Sequence, residues 1–126
     1  MELRSYLSRV RGLGASHEGT HHFWVQRVSG IALVPLVIWF VLSATSIVGA
    51  DLATFKAWVG THYNPVLLIL LIVTMSHHAY LGLQVVIEDY VHGEAAKLTS
   101  LILIKFAAVL LGACAVFAVI RLTFGS

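Results

Sequence analysis

Charge is what this sequence has least of, and its absence follows a pattern. No Asp, Glu, Lys or Arg occurs from Val28 to Ala50, and none from Ala57 to Ile87. After Lys97 the only charged residues are Lys105 and Arg121. Crossing a bilayer takes about 20 residues without unpaired ionised groups, so the three runs predict transmembrane helices at about 28–49, 65–87 and 98–121. Only 11% of the 126 residues are charged and 59% are apolar, against roughly 25% and 45–50% in soluble domains. Mean hydropathy is +0.90. A soluble globular domain is excluded, and the segments between the runs are too short to form one. The expected fold is an all-α membrane protein, with residues 1–126 making a single membrane-anchor domain.

Cysteine is nearly absent. The lone Cys114 sits inside the third run among Ala, Val and Phe, which rules out a disulfide within the chain and suits packing as a small apolar residue. Internal repeats are missing, and no charged residue stands in mid-span, which argues against a transporter or proton channel. A secretory signal is not expected, because the first apolar run is too long and lacks a well-placed small-residue cleavage site. The opening MELRSYLSRVRGLGAS is basic and poor in acids. It loosely resembles an organellar transit sequence; the simpler reading is a basic cytoplasmic leader, since positive charge beside a first span is common.

The basic residues that do occur set an orientation. Arg4, Arg9, Arg11 and Arg27 precede or open the first span, while the first connection carries only Lys56. Lys97 lies in the second connection, and Lys105 can snorkel toward the same side. The positive-inside rule then places the N-terminus in the cytoplasm and the C-terminus on the opposite side. Gly49, Ala50 and Asp51 close the first helix, with Asp51 capping a short interfacial helix that holds Phe55, Ala57 and Trp58. Asn64 and Pro65 open the second span, since proline suits a first helical turn. Trp24, Trp58, Tyr63 and Tyr90 fall where an aromatic belt belongs.

Polar residues inside a span are functional candidates, because hydrocarbon does not satisfy their hydrogen bonds. The second span holds two, His77 and His78. Neighbouring helical positions point about 100° apart, so the two cannot serve one metal from the same side. One stripe runs His78, Gly82, Val85, Asp89; the other runs His77, Leu81, Gln84, Glu88. Gly82 lets a flat macrocycle or a neighbouring helix approach one turn from His78, which makes His78 the better haem ligand. The competing reading of either histidine is a hydrogen bond to another helix. About 16 Å along the helix from His78, Asp89 and Tyr90 offer a carboxylate and a phenolic O–H at the depth of a quinone headgroup; alone, they read as a solvated helix end. In HHFWVQR, residues 21–27, Arg27 can pair with an anionic haem propionate while His21 adds a hydrogen bond. Alternatively, Arg27 binds lipid phosphate. A bis-histidine b-type haem needs a ligand from a second helix. No other predicted span contains a histidine, so the second ligand has to come from a partner.

These residues carry a resemblance. GTHHFWVQRVS, with Gly19, His21, Arg27 and Ser29, and HAYLGLQVVIEDYV, from His78 to Val91, resemble the hydrophobic membrane anchor subunits of succinate dehydrogenase (complex II). In that family a histidine, a glycine four residues on, a glutamine and a terminal Asp-Tyr recur at fixed offsets. The Gly82 and Tyr90 offsets select His78 over His77. The resemblance implies that His78 is an axial ligand of haem b, with the other ligand supplied by a cytochrome b556 subunit. It implies that His21 and Arg27 approach the haem propionates, and that Tyr90, with Asp89 beside it, contacts ubiquinone. Expected partners are the cytochrome b556, iron–sulfur and flavoprotein subunits, quinone and membrane lipid, with no nucleic acid. The expected location is the bacterial cytoplasmic (inner) membrane, which the chain crosses several times, with the mitochondrial inner membrane as the second reading. Succinate chemistry would belong to the flavoprotein, and Arg4, Arg9 and Arg11 would help dock an extrinsic subunit. A different class of function, a purely structural anchor whose histidines bond only neighbouring helices, remains the alternative.

Overall fold

A computed structural model describes residues 18–125. Arg4, Arg9 and Arg11, and the leader they belong to, lie outside the described residues. The chain runs through helix α1 (Glu18–Ala44), a 3-10 turn (Thr45–Ile47), a short helix α2 (Leu52–Val59), α3 (Asn64–Tyr90) and α4 (Glu94–Phe124). Among the described residues there is no strand. Three helices are long and apolar enough to cross a membrane, over Phe23–Ile47, Asn64–Tyr90 and Glu94–Phe124. Each charge-free run therefore lies within or overlaps a long helix, and the helices extend several residues beyond the runs at one or both ends. Backbone hydrogen bonding does not stop where the side chains turn polar.

The ends of the elements follow from local chemistry. The first helix gives up α geometry at Ala44, earlier than Gly49 suggested, because Thr45 and Ser46 turn their hydroxyls back onto the carbonyls of Leu42 and Ser43 at 2.6 Å each. Gly49 then reverses the chain at φ +76°, where a side chain would be strained. Asp51 caps α2 as expected, its Oδ1 accepting the Thr54 N–H at 2.8 Å. At the start of α3, Pro65 occupies the first turn and Asn64 Nδ2 donates back to the Trp58 carbonyl at 2.7 Å.

Helix α3 lies between the other two long helices. It packs against α1 on one side and α4 on the other, while the backbones of α1 and α4 make no close approach to each other among the described residues. The buried apolar residues concentrate at the α2 end, where Val59, Leu68 and Val119 meet under Trp39, Trp58, Ile69, Ile72 and Leu122. Trp58 does more than mark an interface: it stacks on Trp39 at 6.4 Å and 12°, touches Phe40 and Phe55, and donates its indole N–H to Ser43 Oγ at 3.0 Å. Trp24, Tyr63 and Tyr90 are exposed, as belt residues should be. Further along, Gly112 brings α4 close to α3, since a Cβ placed there would sit 3.1 Å from Ser76 Oγ.

Candidate functional site

The polar residues of the spans collect where α1 crosses α3. His78 lies 14 residues into α3, about 21 Å from its start, and its Nδ1 is 2.9 Å from the hydroxyl of Ser29 on α1. Ser29 is the buried polar residue of the described chain, 7% exposed, and its hydroxyl also donates to the Gln26 carbonyl at 2.9 Å. The ring edge rests against α1: a Cβ on Gly30 would stand 3.5 Å from His78 Cε1. Small residues at 29 and 30 thus let α1 come close enough for an interhelical hydrogen bond.

Gly82 admits a neighbour, as its place one turn from His78 suggests, and here the neighbour is a helix. The Gln26 amide fills the space, with Nε2 3.9 Å from where a Cβ would be. Gln26 Oε1 is buried and has no hydrogen-bond partner among the described residues. A buried acceptor left this way is costly, so this crossing holds an unfinished polar pair beside a finished one.

His77 has a different setting. It is exposed, makes no hydrogen bond among the described residues, and stands between two clefts. The first, about 480 Å³ between α1 and α3, also receives His21, Trp24 and Thr74. The second, about 730 Å³ between α3 and α4, is lined by Ser76, Tyr80, Lys105 and Gly112 among others. His21 therefore shares a cleft with His77, a pairing that linear spacing does not reveal.

His21 and Arg27 lie on one helix, because α1 begins by Glu18, but six residues turn them roughly 120° apart. Arg27 is exposed, its guanidinium 4.7 Å from the Phe23 ring centroid. The structure does not bring His21 and Arg27 together. Asp89 and Tyr90 end α3, both exposed and without hydrogen bonds among the described residues. His78 and Asp89 share the α3 face expected of positions eleven apart.

The donor set suits a haem better than a bare ion. Among the described residues no group of three or more His, Cys, Asp or Glu converges to hold a metal. His78 offers the pattern of an axial ligand: one ring nitrogen is hydrogen-bonded to the protein, and the other makes no hydrogen bond among the described residues. Ser29 was legible only as a motif position. The adjacent small residues Ser29 and Gly30 in an apolar run are the signal that points to close helix approach there.

Comparisons with known proteins agree with this architecture. Residues 1–120 match the family model described as succinate dehydrogenase/fumarate reductase transmembrane subunit. The chain is 28% identical over 105 residues to the succinate dehydrogenase hydrophobic membrane anchor subunit of Rickettsia conorii, covering 82% of this chain and 83% of that one. It is 29% identical over 117 residues to the protein of the same description from Paracoccus denitrificans, covering 93% and 90%. A third such protein, from Rickettsia felis, is 31% identical over 91 residues, covering 72% and 76%. No solved structure matches the chain. With three membrane-crossing helices and a family match over nearly its whole length, the chain belongs to the succinate dehydrogenase/fumarate reductase transmembrane subunit family.

Proposed function

We propose that this chain is the membrane anchor subunit of a succinate:ubiquinone oxidoreductase in a bacterial cytoplasmic membrane. It completes a haem b site with a cytochrome b556 subunit and lends residues to the quinone-reduction site. The observation that carries this reading is His78, a histidine deep in a spanning helix with one ring nitrogen engaged by Ser29. Haem b held between two histidines supplies a one-electron redox centre. The chain's own residues position it. His78 would hold the iron from this chain, and the cytochrome b556 subunit would supply the second ligand. Arg27 rests on Phe23, a contact worth about 0.5–1 kcal/mol at an exposed site. A charge-assisted pair with a propionate is stronger, so Arg27 would be the residue to hold that anion in place of the ring contact. His21, on a different face of α1, would reach a propionate only from the cleft it shares with His77.

At the end of α3, Tyr90 donates its phenolic hydrogen to a ubiquinone carbonyl, and Asp89 orients donors or relays protons. Flavoprotein and iron–sulfur subunits oxidise succinate and pass its electrons inward, and this chain performs no succinate chemistry. The structural-anchor alternative draws support from the same Ser29–His78 bond, since an interhelical hydrogen bond is complete without haem. One experiment separates them. The complex is purified from cells carrying His78→Ala or His77→Ala, and its reduced b-type spectrum is recorded. Loss of the spectrum in H78A with retention in H77A is the expected result. Full haem content in H78A leaves the structural anchor as the correct reading.

A further inference from the structure

The bond between Ser29 and His78 has a direction, set by the rest of the hydroxyl's contacts. A serine hydroxyl has one proton to donate and lone pairs to accept with. Its proton is committed to the Gln26 carbonyl, 2.9 Å away within the same helix. With that proton turned to the carbonyl, the oxygen accepts toward His78 Nδ1, also at 2.9 Å, and the Nδ1–H tautomer of the imidazole is the one that satisfies both contacts. The carbonyl of Gln26 has no proton to exchange, which keeps the chain of donors running one way: His78 Nδ1–H to Ser29, Ser29 O–H to Gln26.

We propose that Ser29 is the positioning residue of the axial histidine, holding His78 in its Nδ1–H tautomer so that the Nε2 lone pair is the one presented to haem iron. This deepens the haem reading above and rests on it. Two further observations fit. Ser29 is buried, so water does not compete for the bond, and Gly30 lets the ring lie against α1, 3.5 Å from a would-be Cβ, which limits rotation about the ring's attachment. Ligating histidines characteristically give their second N–H to such an acceptor, which fixes ring orientation and raises basicity. A more basic imidazole stabilises ferric over ferrous iron, so losing the acceptor raises the haem's reduction potential.

The test uses the assembled complex carrying Ser29→Ala, Ser29→Thr or His78→Ala. Haem content, midpoint potential and the low-spin ferric EPR spectrum are measured for each. The expected result is that S29A keeps haem but shows a higher midpoint and a shifted low-field EPR feature, with S29T, which restores the hydroxyl, returning both toward wild type. Loss of haem in S29A with retention in S29T supports the same role. Wild-type potential and EPR spectrum in S29A overturn it, as does haem loss in both S29A and S29T, which makes residue size the requirement. Failure of the underlying haem reading looks different: H78A then keeps its haem, whatever Ser29 does.

Discussion

The two ends of α3 are built by different rules. At the α2 end, Val59, Leu68 and Val119 are buried together and two tryptophans stack over them, so this region is satisfied by the chain's own side chains. From Val73 to Tyr80, α3 runs between clefts that remain open; further along, the Gln26 Oε1 packed beside it lacks a partner among the described residues, and the aromatic and acidic residues of the last turn are exposed. The first end holds the helices in place. The second leaves open surfaces, and it is there that the proposed haem, quinone and partner subunits would meet the chain.

The comparison breaks most sharply at His78. Replacing it with alanine should remove nearly all b-type absorbance from the purified complex, while thermal unfolding of the α2 end is little changed. The reciprocal experiment is Trp58→Ala, which deletes the stacking on Trp39 and the hydrogen bond to Ser43. Large-to-small changes of this kind cost about 3–5 kcal/mol in soluble cores. Within a bilayer the hydrophobic share of that loss is smaller, so roughly 2 kcal/mol is expected from unfolding in detergent, with the haem spectrum unaltered. A spectrum that collapses along with W58A would show that the two ends are one cooperative unit.

Smaller effects sharpen the contrast. Tyr90→Phe removes one hydroxyl from the open end and should slow quinone reduction by about tenfold, the loss of one useful hydrogen bond, measured with haem content unchanged. A wild-type rate would leave Tyr90 as an interfacial aromatic only. The smallest effect belongs to Asp51. Its hydrogen bonds from Thr54 hold its carboxyl below the ordinary carboxylate range, so its contribution to stability is present at neutral pH. It is lost as pH falls through the lowered value. Thermal melts of Asp51→Ala and wild type should therefore differ slightly at neutral pH and converge in strong acid.

What could be read in advance was what depends on neighbours in the chain. Charge-free length exposed three spans because a bilayer imposes its thickness on any chain that crosses it. Asp51 and Pro65 were recognisable because caps act within one turn. The stripe of His78, Gly82 and Asp89 needed only helical geometry. What remained hidden depends on which helices meet. Ser29 and His78 are 49 residues apart, and nothing in either motif says that α1 crosses α3 at that level. The same is true of Gln26 occupying the space at Gly82 and of His21 sharing a cleft with His77. Trp58 read as a belt residue because its four aromatic and polar neighbours arrive from elsewhere in the sequence or from its own short helix.

That no close backbone approach joins α1 to α4 among the described residues has a consequence for the life of the protein before assembly. A chain whose outer long helices meet through the middle one and the short α2 leaves His77 and Lys105 exposed along an open cleft until something covers them. Such a subunit, newly inserted and alone, is expected to be recognised by membrane proteases. Its abundance would then follow the supply of its partner rather than its own synthesis rate, which a pulse-chase comparison of cells with and without the partner subunit would reveal.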